Sequence, residues 1–232
     1  MKQFNFIFVI ILLIGINNSL FSQEKIKTES DTHIFWQPDR LLTIDDFKGN
    51  GSNNAKNIKY CDDLGLCTVA CVGLFGVLDI PKKKKNRGKL IEKAYFALAF
   101  EKATSYIIKN DSLGIEKQKL VFDIYEISAR YARKELAHYQ DSVGGYGILS
   151  IMFNSVKANA KEMHKKMTGA FTKDIYIEHR KGAYEEWKKE IAKLLEESKE
   201  FETKPDDCYR FVKMIPIDEN YIMPETVIGN LF

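Results

Sequence analysis

Histidine is scarce in this chain. Four occur in 232 residues, His33, His138, His164 and His179, and no two stand four apart. A single helix that offers two imidazoles to one metal is therefore excluded. The four cysteines include no C-x-x-C pair, which argues against a four-thiolate zinc site. Gly144-Gly145-Tyr146-Gly147 lacks the Lys-Ser or Lys-Thr that would make it a phosphate cradle. No Ser, Cys or Thr sits in a recognisable nucleophile motif. Neither sign of charge prevails: 35 Lys and Arg stand against 32 Asp and Glu, so the chain carries no nucleic-acid footprint. Prolines number five, and neither a Pro-rich linker nor a repeat divides the sequence.

Long apolar runs are also missing, with one exception at the start. Met1 to Ser22 reads as a secretory signal peptide: Lys2 is the basic end, Phe6 to Ile14 the apolar core, and Ser22 the small residue before the cut. Leu20, two residues earlier, is larger than that position prefers. The run is too short to span a bilayer, and no Cys follows the cut to carry a lipid. An uncleaved anchor is the competing reading. Cleavage leaves residues 23–232 as one domain with net charge +2, secreted or periplasmic, with no stable membrane anchor.

The dominant pattern lies in Gly114 to Leu136. Leu120, Ile124, Ile127 and Tyr131 recur at helical spacing, no Pro interrupts, and Asp111 and Ser112 stand ready as N-caps. One long helix is expected, fraying near Gln140. Glu126 and Arg130, at i and i+4, read as a surface or partly buried ion pair. Asp123 and Glu126 read as carboxylates on a solvated face with no acid–base role.

Within that helix, Phe122-Asp123-Ile124-x-Glu126-x-x-Ala129-Arg130 resembles the motif helix of the secreted bacterial "domain of unknown function 922" family, described as zinc-dependent proteases, in which HExxH runs into FDIxExxAR. Two further segments resemble the same family. One is Phe35-Trp36 through Arg40-Leu41-Leu42-Thr43 to Asp46-Phe47-Lys48-Gly49, with Ile44 where a second Trp is common. The other is Phe100-x-Lys102-x-x-Ser105-Tyr106, with Tyr106 for Trp. The HExxH slots here hold Lys117, Gln118, Lys119, Leu120 and Val121. Lys117 is a cation without a lone pair, Val121 has no ligand atom, and Gln118 cannot take a proton. Both ligands and the general base that would act on a zinc-bound water are gone. The family also places a His before a Trp helix; aligned on Trp187 that slot falls near Ile177, with His179 two residues away.

Elsewhere, Ile58 to Ile80 reads as one or two strands, with Cys67 and Cys71 in a buried one. Pro81 to Lys89 reads as a solvated basic turn in preference to an anionic-surface or polyanion contact. Ala94 to Phe100 reads as a strand, with a helix over Leu90 to Ile108 competing. Helices are expected over Ile151 to Met167, ended by Gly169, and Glu178 to Phe201. Tyr209 to Ile215 is a candidate last strand. Residues four apart on a strand lie about 13 Å apart, so Cys67 and Cys71 cannot bond to each other. Cys208 is then expected to pair with Cys61, Cys67 or Cys71, free buried thiols being the alternative.

These readings give an α+β, zincin-like domain: a small mixed sheet on a long motif helix, with C-terminal helices. The expected function is that of an exported, non-catalytic relative of the protease-like family, with no cofactor, whose scaffold serves a structural role or holds a peptide or protein. The alternatives are an active metal-dependent hydrolase using another site, with His138 and His179 as candidate metal ligands, and an unrelated exported domain.

Overall fold

The structure, a computed structural model, describes residues 26–109 and 111–224; the signal-peptide reading lies outside them. It is α+β. Strands β1 (His33–Phe35), β3 (Val72–Pro81), β4 (Lys93–Glu101) and β6 (Tyr221–Ile222) form a sheet in the order β1-β4-β3-β6. Every ladder in it is antiparallel, so the expected mixed sheet is corrected. β3 and β4 are joined as a hairpin, which pairs antiparallel without a crossover, whereas β1 and β6 reach the edges through longer connections. β2 (Thr68–Val69) and β5 (Tyr106–Ile107) make a separate two-stranded piece, also antiparallel.

β4 is central and buried on both faces. Phe96, Leu98 and Phe100 point to one side, into a core with Ile34, Trp36 and Leu78. Ala97 and Ala99 point to the other, against Phe35 and Cys208. A strand covered on both faces reads as a continuous apolar run, which explains why its alternation is weak in the sequence.

The long helix, α2 (Ser112–Val143), has 32 residues, about 48 Å of rise. Asp111 caps it, its side chain accepting from Leu113 N at 3.1 Å. Gly114 brings its first turn against β2: a Cβ there would lie 2.7 Å from Thr68 Oγ1. Phe122, Ala129, Ala132 and Leu136 face the sheet beside Leu149, Phe153, Val156 and Ala160 of α3 (Ile148–Thr172). Leu120, Ile124 and Ile127 face a second core with Phe171, Tyr176 and Ile191, where α4 (Ala183–Glu197) packs.

Four local expectations are corrected. Ile58 does not begin a strand: Asn54 caps a helix, α1 (Ala55–Leu64), and Gly65 at φ 70° ends it. Gly169 does not stop α3, which continues to Thr172 and then a π-turn over Lys173–Ile177. α4 starts at Ala183 because His179 and Gly182 adopt φ 47° and 81° and break the chain before it. Residues 209–213 are not a strand but the end of α5 (Pro205–Lys213), started by Pro at its first turn.

Candidate functional site

Lys117, Gln118 and Val121 are engaged by the protein itself. Gln118, 4% exposed, accepts from Ala70 N at 2.9 Å and donates to Tyr176 Oη at 3.3 Å. It ties the backbone between β2 and β3 to the π-turn. Lys117 Nζ lies 5.2 Å from the centre of the Tyr176 ring. Val121 packs half-buried beside the Leu120–Ile124–Phe171 core. Burial pushes the Tyr176 phenol up to about 12, against the hydrogen bond from Gln118, so it stays protonated at neutral pH. The Gln118 carbonyl oxygen is occupied by a backbone donor.

One turn on, the motif residues are buried, which corrects the reading of a solvated face. Asp123 Oδ1 accepts from Trp36 Nε1 at 2.7 Å and also pairs with Lys119. The Arg130 guanidinium lies 5.2 Å over the Trp36 ring. Glu126 is fully buried. Its Oε1 accepts from Arg130 Nε at 2.9 Å and Thr203 N at 2.8 Å, and its Oε2 from Thr203 Oγ1 at 2.6 Å. Arg130 also donates to Leu195 O. The motif thus fastens α2 to β1's exit, to the end of α4 and to the segment before α5. A helical wheel shows one helix; partners at Trp36, Leu195 and Thr203 are distant in sequence, so burial of these charges was not readable from spacing.

The other two resembling segments meet the same helix. The Phe47 and Phe100 rings are 5.0 Å apart, and Phe100 and Phe122 6.4 Å. Lys48 N donates to Lys102 O at 2.9 Å and Gly49 N to Ser105 O at 2.8 Å. Gly49 is required there, since a Cβ would lie 2.7 Å from the carbonyl oxygens of Ala103 and Ser105. Arg40 pairs with Asp46 at 2.7 Å; this hydrogen bond raises the guanidinium pKa further, against burial.

The two candidate ligands are not brought together. His179 follows Tyr176, which sits against Lys117 near the start of α2, whereas exposed His138 is 21 residues beyond Lys117 on the same helix, about 30 Å farther along. Among the described residues no group of three His, Cys, Asp or Glu is placed to hold a metal ion.

The cysteine expectation is corrected as well. Cys61 pairs with Cys67, their Cα atoms 4.2 Å apart. Gly65 turns the chain at the end of α1 and carries Cys67 back to Cys61, a local closure that an all-strand reading hid. Cys208 is a buried free thiol near Gln37 Nε2 at 3.3 Å, pushed up to about 12 chiefly by burial. Cys71 is free and half-buried.

Sequence reasoning also missed a buried bidentate pair. Arg210 of α5 donates to both oxygens of Asp79 on β3, at 2.7 and 2.8 Å, and locks α5 onto the sheet. Beside the motif helix, Leu41, Leu42, Ile115 and Leu120 line a cavity of about 260 Å³, with Lys119, Lys188 and Glu116 at its edge.

Compared with known proteins, the chain matches no family model, no curated protein and no solved structure.

Proposed function

We propose that this protein is an exported, non-catalytic relative of the zinc-protease-like family it resembles, with a zincin-like scaffold that has lost metal and base. One observation carries the reading: Lys117, Gln118 and Val121 fill the motif slots and are tied to Tyr176, Ala70 and the core. Mutual packing of the three resembling segments supports kinship, and the Cys61–Cys67 disulfide suits an oxidising compartment outside the cytoplasm.

The remaining role is structural or binding. The half-open groove beside Leu120 is lined by Leu41, Leu42, Ile115 and Tyr184, and its rim of two lysines and a glutamate suits the polar backbone around an apolar side chain. An apolar side chain of a peptide or protein is the occupant this site fits.

Metal analysis of residues 23–232 after incubation with excess zinc and desalting tests the reading. Far less than one zinc per chain is expected. One equivalent retained would overturn it, and substitution of His138 and His179 would then locate the ion.

A further inference from the structure

The turn between β3 and β4 is strongly one-sided in charge. Lys82, Lys83, Lys84, Lys85, Arg87 and Lys89 lie within eight residues that contain no acid. A basic turn alone is most simply solvated. The fold, however, sets an apolar edge beside it. After α5 the chain returns along β3: Ile80 pairs with Ile222 and Pro81 with Tyr221, and Lys82 N donates to Asn220 O at 2.8 Å. Tyr221 Oη reaches back to Ile91 O at 2.9 Å. This strand and its approach carry Ile215, Ile217, Ile222 and Met223, which are 61%, 41%, 38% and 43% exposed, with Ile91 at 40%. Large aliphatic side chains left in water next to six cations make a single mixed surface at one end of the sheet. Arg87 stacks over the Tyr146 ring at 5.0 Å, which holds the tip against the loop before α3. The neighbouring acids do not cancel the field: Asp218 is already paired with Lys93 at 2.9 Å, Glu92 is buried and accepts from Ser150 Oγ at 2.7 Å, and Glu219 is one acid against six cations.

We infer that this end of the molecule is a docking surface for an anionic lipid bilayer, with the lysines at the phosphate level and the Ile217–Met223 edge against the acyl boundary. The charge complements an anionic headgroup layer, to which each Lys near the surface adds attraction. The exposed aliphatics distinguish the partner: apolar side chains gain by leaving water at a bilayer interface and gain nothing from a soluble polyanion. The inference is independent of the family reading, since it uses neither the motif helix nor its slots.

Vesicle co-sedimentation of residues 23–232 tests it, a chain from which the apolar Phe6–Ile14 run is absent. Binding to phosphatidylglycerol vesicles but not to phosphatidylcholine vesicles is expected, with strong weakening between about 0.1 and about 0.5 M salt. Lys83→Glu/Lys84→Glu/Lys85→Glu should weaken binding roughly a hundredfold, given the attraction lost per lysine. The Gln triple at the same sites, which removes charge without reversing it, should move binding in the same direction. Ile217→Ser/Met223→Ser should weaken it several-fold with the charge untouched. All these residues are exposed, and an unchanged urea midpoint verifies each fold. No binding to phosphatidylglycerol, or equal binding to phosphatidylcholine, overturns the inference. So does a Ser double variant that binds like the parent while the parent takes inorganic polyphosphate equally well, which assigns the surface to polyanions.

Discussion

Glu126 has both carboxylate oxygens occupied and no exposure, and two guanidinium groups depend on it: Arg130 at 2.9 Å and Arg133 at 3.6 Å. Glu126→Ala would leave Arg130 buried with only Glu202, at 3.6 Å, as counter-charge and Thr203 N–H unpaired. Removing one partner of such a pair costs about 3–5 kcal/mol, read as a drop in the urea midpoint; a loss below about 1 kcal/mol would show that water replaces the carboxylate. Gln118 makes a similar argument at smaller scale. Gln118→Leu preserves bulk but strands Ala70 N–H and removes the donor to the Tyr176 Oη, a loss of about 1–3 kcal/mol. A neutral result would mean that the slot is held by packing alone. The residue types at these sites are plain in the sequence, and that Lys117 and Val121 offer no metal ligand and Gln118 no base follows from their side chains. What Asp123 and Glu126 do is not plain, because acids on a helix look solvated until the partners, here Trp36 and Thr203, are placed over them.

Among the elements, the strongest periodic signal was the most faithful: the Leu120–Tyr131 stripe, with Asp111 ahead of it, marks α2 and its cap. The weaker elements failed for identifiable reasons. Asn54 and Gly65 bracket a ten-residue helix whose apolar content is low, and the Val- and Leu-rich stretch after it masked its presence. Gly169 follows the last periodic residue, where a helix stop is expected, yet it lies inside α3 with open space around its missing side chain, so it costs the helix some stability without ending it. The same misread stretch concealed the disulfide. Closing the short Cys61–Cys67 loop removes unfolded-state entropy worth about 2 kcal/mol. Reduction, or Cys61→Ala/Cys67→Ala, should therefore lower unfolding free energy by that amount, with Cys71→Ala as the control that leaves it unchanged. Equal midpoints with and without reductant would show that α1 is docked by its packing and not by the bond.

For the molecule as a whole, acid should be the condition that discriminates. His164 on α3 is buried, its ring centre 4.0 Å from that of Tyr125 on α2, and its Nδ1 has no partner. Burial, and secondarily the charge of Lys161, pushes its pKa down from 6.5 to about 4. The folded state therefore favours the neutral ring, while the unfolded chain takes up a proton near 6.5. Its contribution is complete above 6.5 and is lost as pH falls toward 4, at most about 3 kcal/mol over the window. Asp207 works in the opposite direction. Burial raises its pKa above 3.8, chiefly over the backbone hydrogen bond from Lys204 that lowers it, so it favours the fold below 3.8 and loses that contribution as pH rises through its folded value. It offsets only the acid end of the histidine slope. Asp46 adds to the loss below the window: hydrogen bonds from Arg40 and Thr43 outweigh burial and hold its pKa down. Unfolding free energies at about pH 7, 5.5 and 4.5 should accordingly fall in that order. His164→Phe removes both the proton and the unpartnered nitrogen from the α2–α3 interface and should flatten the decline between pH 7 and 4.5. If the variant declines as steeply as the parent, the α2–α3 interface is not the source of the acid lability.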